Sequence, residues 1–144
     1  MFRVLQIDHV ELIVPDQYEA AEWYREVFGL EIMPDFEFWA KDGPLMLTTP
    51  EAGTKLALFK GTPPDTVTGF ETVAFRVNAE GFMHFLARVE DLKLVNHKGV
   101  ALTAQTAAID HTLSWSIYFR DPYGYPYEIT TYDYDIVKSQ LDSV

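Results

Sequence analysis

The sequence predicts an α+β fold: two tandem βαβββ modules that form a curved mixed sheet around a concave cavity, with helices outside. Three observations lead there. First, an alternating strand, "IDHVELIV", runs into an amphipathic helix and then into short strand-like pieces. Second, the same order returns from "ETVAFRV" onward, after "KGTPPDTVTG", the one stretch that reads as a linker. Third, each half is too small to bury its own sheet and helix well, so two halves sharing a sheet solve the burial problem together.

Each element has its own signal. In the first strand Asp8, Val10, Leu12 and Val14 point one way, and Ile7, His9, Glu11 and Ile13 the other. Asp16 can cap the helix that follows, with Glu19 completing a capping box. Ala20, Trp23, Tyr24, Val27 and Phe28 fall at helical spacing, and Gly29 is a natural stop. "LEIMP", "FEFWA", "LMLTT" and "KLALFK" then read as strands, separated by Gly43-Pro44 and Pro50 to Gly53. As a strand, "FEFWA" puts Phe36 and Phe38 on one face and Trp39 on the other.

In the second half Thr72, Ala74 and Arg76 oppose Val73, Phe75 and Val77. Asn78 can cap a helix whose stripe is Phe82, Phe85, Leu86 and Val89. Strands return around "KLV", "VALTAQTA", "SWSIYF" and "YPYEITTY", and a short helix is expected at the end. His9 matches Thr72, Val10 matches Val73, and Leu12 matches Phe75. The expected organisation is one domain over 1–144, with module one at about 5–60, a linker at 61–69, module two at about 70–133 and a tail at 134–144.

Composition excludes several function classes. The chain has 144 residues, 22 acids against 11 bases and a net charge of −11. No Lys/Arg cluster offers a basic face to phosphates, so nucleic acid is not an expected partner. No apolar run approaches the roughly 18 residues of a membrane span, and "MFRVLQIDHV" lacks a signal-peptide layout, so the expected address is cytoplasmic. Zero cysteines exclude disulfides, thiolate metal sites and a cysteine nucleophile. Aromatic residues make up 15%, a surplus that suits a pocket for a small organic ligand as well as a core. Phosphate-binding Gly-rich loops, a Gly-x-Ser-x-Gly elbow and a zinc-protease His pair are all missing.

The motifs "DHVELIV", "WYREVFGLEI" and "DPYGYPYEI" resemble the vicinal oxygen chelate superfamily, the group of glyoxalases, bleomycin-resistance proteins and extradiol dioxygenases. The resemblance covers roughly Gln6 to Tyr132. It implies metal ligands on the first and last strands of each module, which here are His9 and Glu128. The other two ligand places fall on Ala57, which has no donor, and Thr72, a poor ligand for a transition metal. His9 and Glu128 are thus either part of a site for Fe, Mn, Zn or Ni, or a hydrogen-bonded polar pair kept in a metal-free pocket.

The resemblance to extradiol enzymes further implies that His111 and Tyr118 face the substrate. Glu11 shares a face with His9, where it can orient that imidazole, act as a general base or simply meet solvent. Thr72 and Arg76 face the cavity side, Arg76 toward an acidic ligand group or toward neighbouring acids. Phe38 and Trp39 stand where family members shape a pocket wall. Two functions follow: a metal-dependent enzyme acting on neighbouring oxygens, closest to extradiol dioxygenases, or a metal-free sequestration protein of the bleomycin-resistance type. The resemblance also implies a homodimer.

Overall fold

The first strand, β1 (His9–Val14), has the alternation its sequence demands: Leu12 and Val14 are buried, whereas His9, Glu11 and Ile13 are exposed. Helix α1 (Gln17–Phe28) begins where Asp16 accepts the backbone N–H groups of Tyr18 and Glu19, each at 3.0 Å. It ends at Gly29, whose φ of 72° is left-handed and free for glycine alone. Buried Gln17 ties this helix down, donating through Nε2 to the carbonyls of Leu58 at 2.7 Å and Gly43 at 2.8 Å. Strands β2 (Glu31–Ile32), β3 (Leu45–Thr48) and β4 (Lys55–Lys60) complete a four-stranded sheet in the order β1-β4-β3-β2. The β1–β4 pair is parallel and the other two are antiparallel.

The second module repeats the plan. Strand β5 (Val73–Arg76) leads to helix α2 (Ala79–Arg88), capped by Asn78 Oδ1 on the Gly81 N–H at 2.8 Å. Strands β6 (Ile109–Asp110), β7 (Trp115–Arg120) and β8 (Pro126–Thr131) follow, then helix α3 (Tyr134–Asp142). The order is β5-β8-β7-β6, again with the first and last strands parallel. Asp133 joins the two helices of this module, its Oδ2 accepting the Ala79 N–H at 2.8 Å. The apolar face of the sheet, with Ile117, Phe119, Tyr127 and Ile129 all buried, forms the core.

The structure is a computed structural model that describes residues 1–65 and 71–143. The α+β class and the tandem βαβββ modules are as the sequence predicts, each module with a four-stranded mixed sheet. The chain divides into two compact units, Met1–Asp65 and Thr66–Val144. The linker expected at 61–69 spans that boundary, and its residues 66–69 lie outside the described residues, as do 70 and 144.

Three strand expectations are corrected, at "FEFWA", "KLV" and "VALTAQTA". "FEFWA" is part of a 3-10 helix, Pro34–Lys41, started by proline at its N-terminal turn. Residues three apart eclipse in such a helix, so Phe36 and Trp39 meet, with ring centroids 4.7 Å apart, and Phe38 is left 74% exposed. "KLV" and "VALTAQTA" form loops, tied among the described residues by isolated bridges from Val95 to Ala101 and to Arg120. Local hydrogen bonds compete with strand pairing there: Thr103 Oγ1 meets Thr106 Oγ1 at 2.8 Å, and Ala107 N donates to Thr103 O at 2.9 Å.

Candidate functional site

The mid-strand carboxylate Glu128 is explained by register. In the second sheet Glu128 pairs with Ala74 on one side and Tyr118 on the other, and Thr130 pairs with Arg76 and Ser116. These residues share the face opposite the core. Buried Ser116 donates its hydroxyl to Glu128 Oε1 at 2.6 Å, a short charge-assisted bond that holds the half-buried carboxylate in place. Arg76 is exposed on this face, and Thr72, half-buried, lies just before β5.

The turn from β7 to β8 fixes that register. Buried Asp121 accepts the backbone N–H groups of Tyr123 at 2.9 Å and Tyr125 at 2.8 Å, and Gly124 supplies a left-handed φ of 96°. Arg120 closes the turn from outside by donating to the Gly124 carbonyl.

Tyr118 is the centre of the cluster. Its hydroxyl lies 2.9 Å from His111 Nε2. Burial first, and then the negative charge of Glu128, raise the phenol above its ordinary value of 10.0, so Tyr118 keeps its proton and can donate it. His111 sits at the tip of the β6–β7 hairpin, where Asp110 Oδ1 accepts the Thr112 N–H at 2.7 Å. Thr112 has φ 75°, an uncommon state for a β-branched residue and therefore a strained one.

His97, in the turn after Val95, also reaches this cluster. Asn96 Oδ1 shapes that turn by accepting the N–H groups of Lys98 and Val100, and Val95 bridges to Arg120. The bridge lays the His97 ring edge-on to Tyr118, centroids 5.8 Å apart, while His111 meets Tyr118 edge-on at 6.0 Å. Among the described residues His97 Nε2 is buried with no hydrogen-bond partner, and burial followed by the charge of Arg120 lowers its pKa below the ordinary 6.5. It is a neutral imidazole at pH 7. No local motif could have found it, because a bridge between distant segments brings it to Tyr118.

In the first unit His9 Nδ1 is 2.8 Å from Asp8 Oδ2, and His9 Nε2 is 3.4 Å from Glu11 Oε1. The Asp8 bond is the main reason that the His9 pKa is raised above 6.5. Lys55 Nζ holds the other Asp8 oxygen at 2.9 Å. Beside them Met33, Phe36, Trp39, Met46, Asp8 and Lys55 line a cleft of about 230 Å³. Trp39 lines this cleft, and exposed Phe38 is not among its lining residues.

Two of the four ligand places that the resemblance implies carry no strong metal donor. Catalytic sites use three protein ligands and an open position. Ala57 and Thr72 stand at the matching places, and among the described residues no three His, Cys, Asp or Glu side chains gather to hold an ion.

The sequence profile described as Glyoxalase/Bleomycin resistance protein/Dioxygenase superfamily matches residues 6–129. The chain belongs to this superfamily. Solved superfamily-like structures superpose over most of its length. The oxidase ChaP-H2 has a TM-score of 0.66 at 20% identity, covering 90% of this chain and 94% of that one. The fosfomycin resistance protein FosX from Listeria monocytogenes, in complex with Mn(II) and sulfate, has a TM-score of 0.67 at 16% identity, covering 97% and 98%. A glyoxalase/dioxygenase from Nostoc punctiforme has a TM-score of 0.64 at 21% identity, covering 91% and 97%. At these identities the likeness is one of fold. No curated protein matches the sequence significantly. Among the described residues no helix is long and apolar enough to cross a membrane.

Proposed function

We propose that this superfamily member binds a small oxygen-bearing organic molecule against the polar face of its second sheet and moves a proton there. The observation that carries the reading is the 2.9 Å contact between Tyr118 and His111, on the same face as Glu128. Tyr118, kept protonated, donates to a ligand oxygen, and His111 Nε2 exchanges the proton at the phenol oxygen. Glu128, held by Ser116, keeps negative charge beside Tyr118 and so opposes loss of its proton to solvent. Arg76 and Thr72 contribute ligand contacts from β5 and the residue before it. The protein works as a cytoplasmic homodimer, and a monomer in sedimentation at micromolar concentration would count against that part.

Catechol, whose two oxygens are vicinal, is the probe. Titration calorimetry should show binding that Tyr118→Phe and His111→Phe each weaken about tenfold, the worth of one hydrogen bond. Equal binding by wild type and both variants would refute the assignment. The competing reading is an enzyme of the extradiol-dioxygenase kind on a divalent metal (Fe, Mn, Zn or Ni). It is favoured by Asp8, which orients His9 as outer carboxylates orient metal-binding imidazoles. Elemental analysis of protein purified without chelator decides: stoichiometric metal lost in His9→Ala would favour it. Catechol binding without turnover and without metal would place the protein with sequestration members of the bleomycin-resistance type.

A further inference from the structure

The cleft of the first unit is lined by Asp8, which also holds His9, and by none of Tyr118, His111 and Glu128. It is small, about 230 Å³, which suits one ring rather than a fused system. Its walls are two aromatic rings, Phe36 and Trp39, and two thioethers, Met33 and Met46. Sulfur and aromatic edges both pack well against a planar π-face. Trp39 is 40% exposed, so the ring surface is open to a visitor.

One cation lies in this apolar setting. The Lys55 side chain is only 16% exposed, and the single hydrogen-bond partner of its Nζ among the described residues is Asp8, at 2.9 Å. An ammonium carries three donors, so two are available for an acceptor. The charge itself is already met, because Asp8 Oδ1 forms an ion pair with Lys55 Nζ at 2.9 Å. A carboxylate entering the cleft would set a second negative charge beside Asp8. A neutral oxygen acceptor satisfies the donors without that repulsion.

We infer that the Phe36–Trp39–Lys55 cleft is a binding site for an uncharged, single-ring aromatic compound bearing a carbonyl oxygen, the ring between Trp39 and the methionines and the oxygen on Lys55 Nζ. Neither Tyr118 nor His111 is among the residues that line it.

Three probes of similar size separate the contributions: acetophenone, ethylbenzene and benzoate. The Met33 and Met46 methyl signals, assigned by Met33→Leu and Met46→Leu, report the ring through its ring current. Acetophenone should shift both methyls and quench Trp39, and it should bind about tenfold more tightly than ethylbenzene, which lacks the acceptor. Benzoate should be the weaker of the two oxygen-bearing probes. Lys55→Met should remove the preference for acetophenone over ethylbenzene, whereas Lys55→Arg, which keeps the donors, should retain it. Trp39→Leu should weaken both neutral probes together. Failure of acetophenone to shift the methyls, equal affinity for acetophenone and ethylbenzene in wild type, or tighter binding of benzoate would each overturn the inference. Loss of catechol binding in Tyr118→Phe with acetophenone binding unchanged supports two separate sites.

Discussion

Asp121 offers the sharpest measure of what the Asp-Pro-Tyr-Gly turn contributes. Replacing it by alanine removes the acceptor for the Tyr123 and Tyr125 amides at 2.9 and 2.8 Å. Hydrogen bonds to a charged group contribute about 1.5–3 kcal/mol each. Tyr123 and Tyr125 are half-buried, so their freed amides regain part of that from water, and the net loss should be about 2–4 kcal/mol. At about 3 °C per kcal/mol for a chain of this size, Tm should fall by about 6–12 °C. Asp121→Asn keeps an acceptor and loses only the charge, so it should cost about 1 kcal/mol. Urea unfolding gives the free energies, and amide exchange at Tyr123 and Tyr125 locates the damage. Exchange at those two amides should quicken more than at Ile117 or Ile129. An Asp121→Ala protein within about 0.5 kcal/mol of wild type would mean that the carboxylate does not organise this turn.

Three other outcomes follow from the same structure. Gln17→Leu strands the Leu58 and Gly43 carbonyls and should destabilise by about 2–3 kcal/mol in urea unfolding, whereas Glu19→Gln at the neighbouring exposed position should change little. Thr112→Asn should stabilise by about 1 kcal/mol, because asparagine tolerates the left-handed φ that threonine resists; a loss of stability would show that Thr112 is not strained. His97 has a folded pKa below 6.5, so the unfolded chain binds the proton first, and the stability His97 contributes is present above pH 6.5 and lost as pH falls through the lowered value. His97→Phe should therefore flatten the fall in stability between pH 7.5 and 5.5, and an unchanged slope would remove His97 as its source.

How legible these features were depends on the range of the interactions behind them. The α1 caps at Asp16 and Gly29 and the Asn78 cap of α2 are local, and the sequence reads them correctly. So are the alternations of β1 and β7, which place Glu11 with His9, and Ser116 with Tyr118. The matching of His9 with Thr72 agrees with the pairing, since Glu11 lies opposite Ala57 as Ala74 lies opposite Glu128. Alternation failed at "FEFWA" because a two-residue and a three-residue period are hard to tell apart over five residues, and Pro34 favours a helical start. The His97–Tyr118 contact was out of reach because the bridge from Val95 to Arg120 belongs to tertiary structure.

In each sheet the strand made last lies between the strand made first and the strands in the middle. During synthesis β5 has no ladder partner in its sheet until β8 emerges, however early its own residues leave the ribosome. The β6–β7 hairpin can form beforehand from contacts close in sequence, but the junction with β5 must wait for a loop running from Arg76 to Pro126 to close. Closing such loops delays folding more than it reduces stability. A chain that ends at Asp121 would therefore lose more than one strand: β5 would have no partner and β7 an open edge. Arrest at that length should leave a nascent second module that proteases cut readily, and completion of β8 should protect it in a single step.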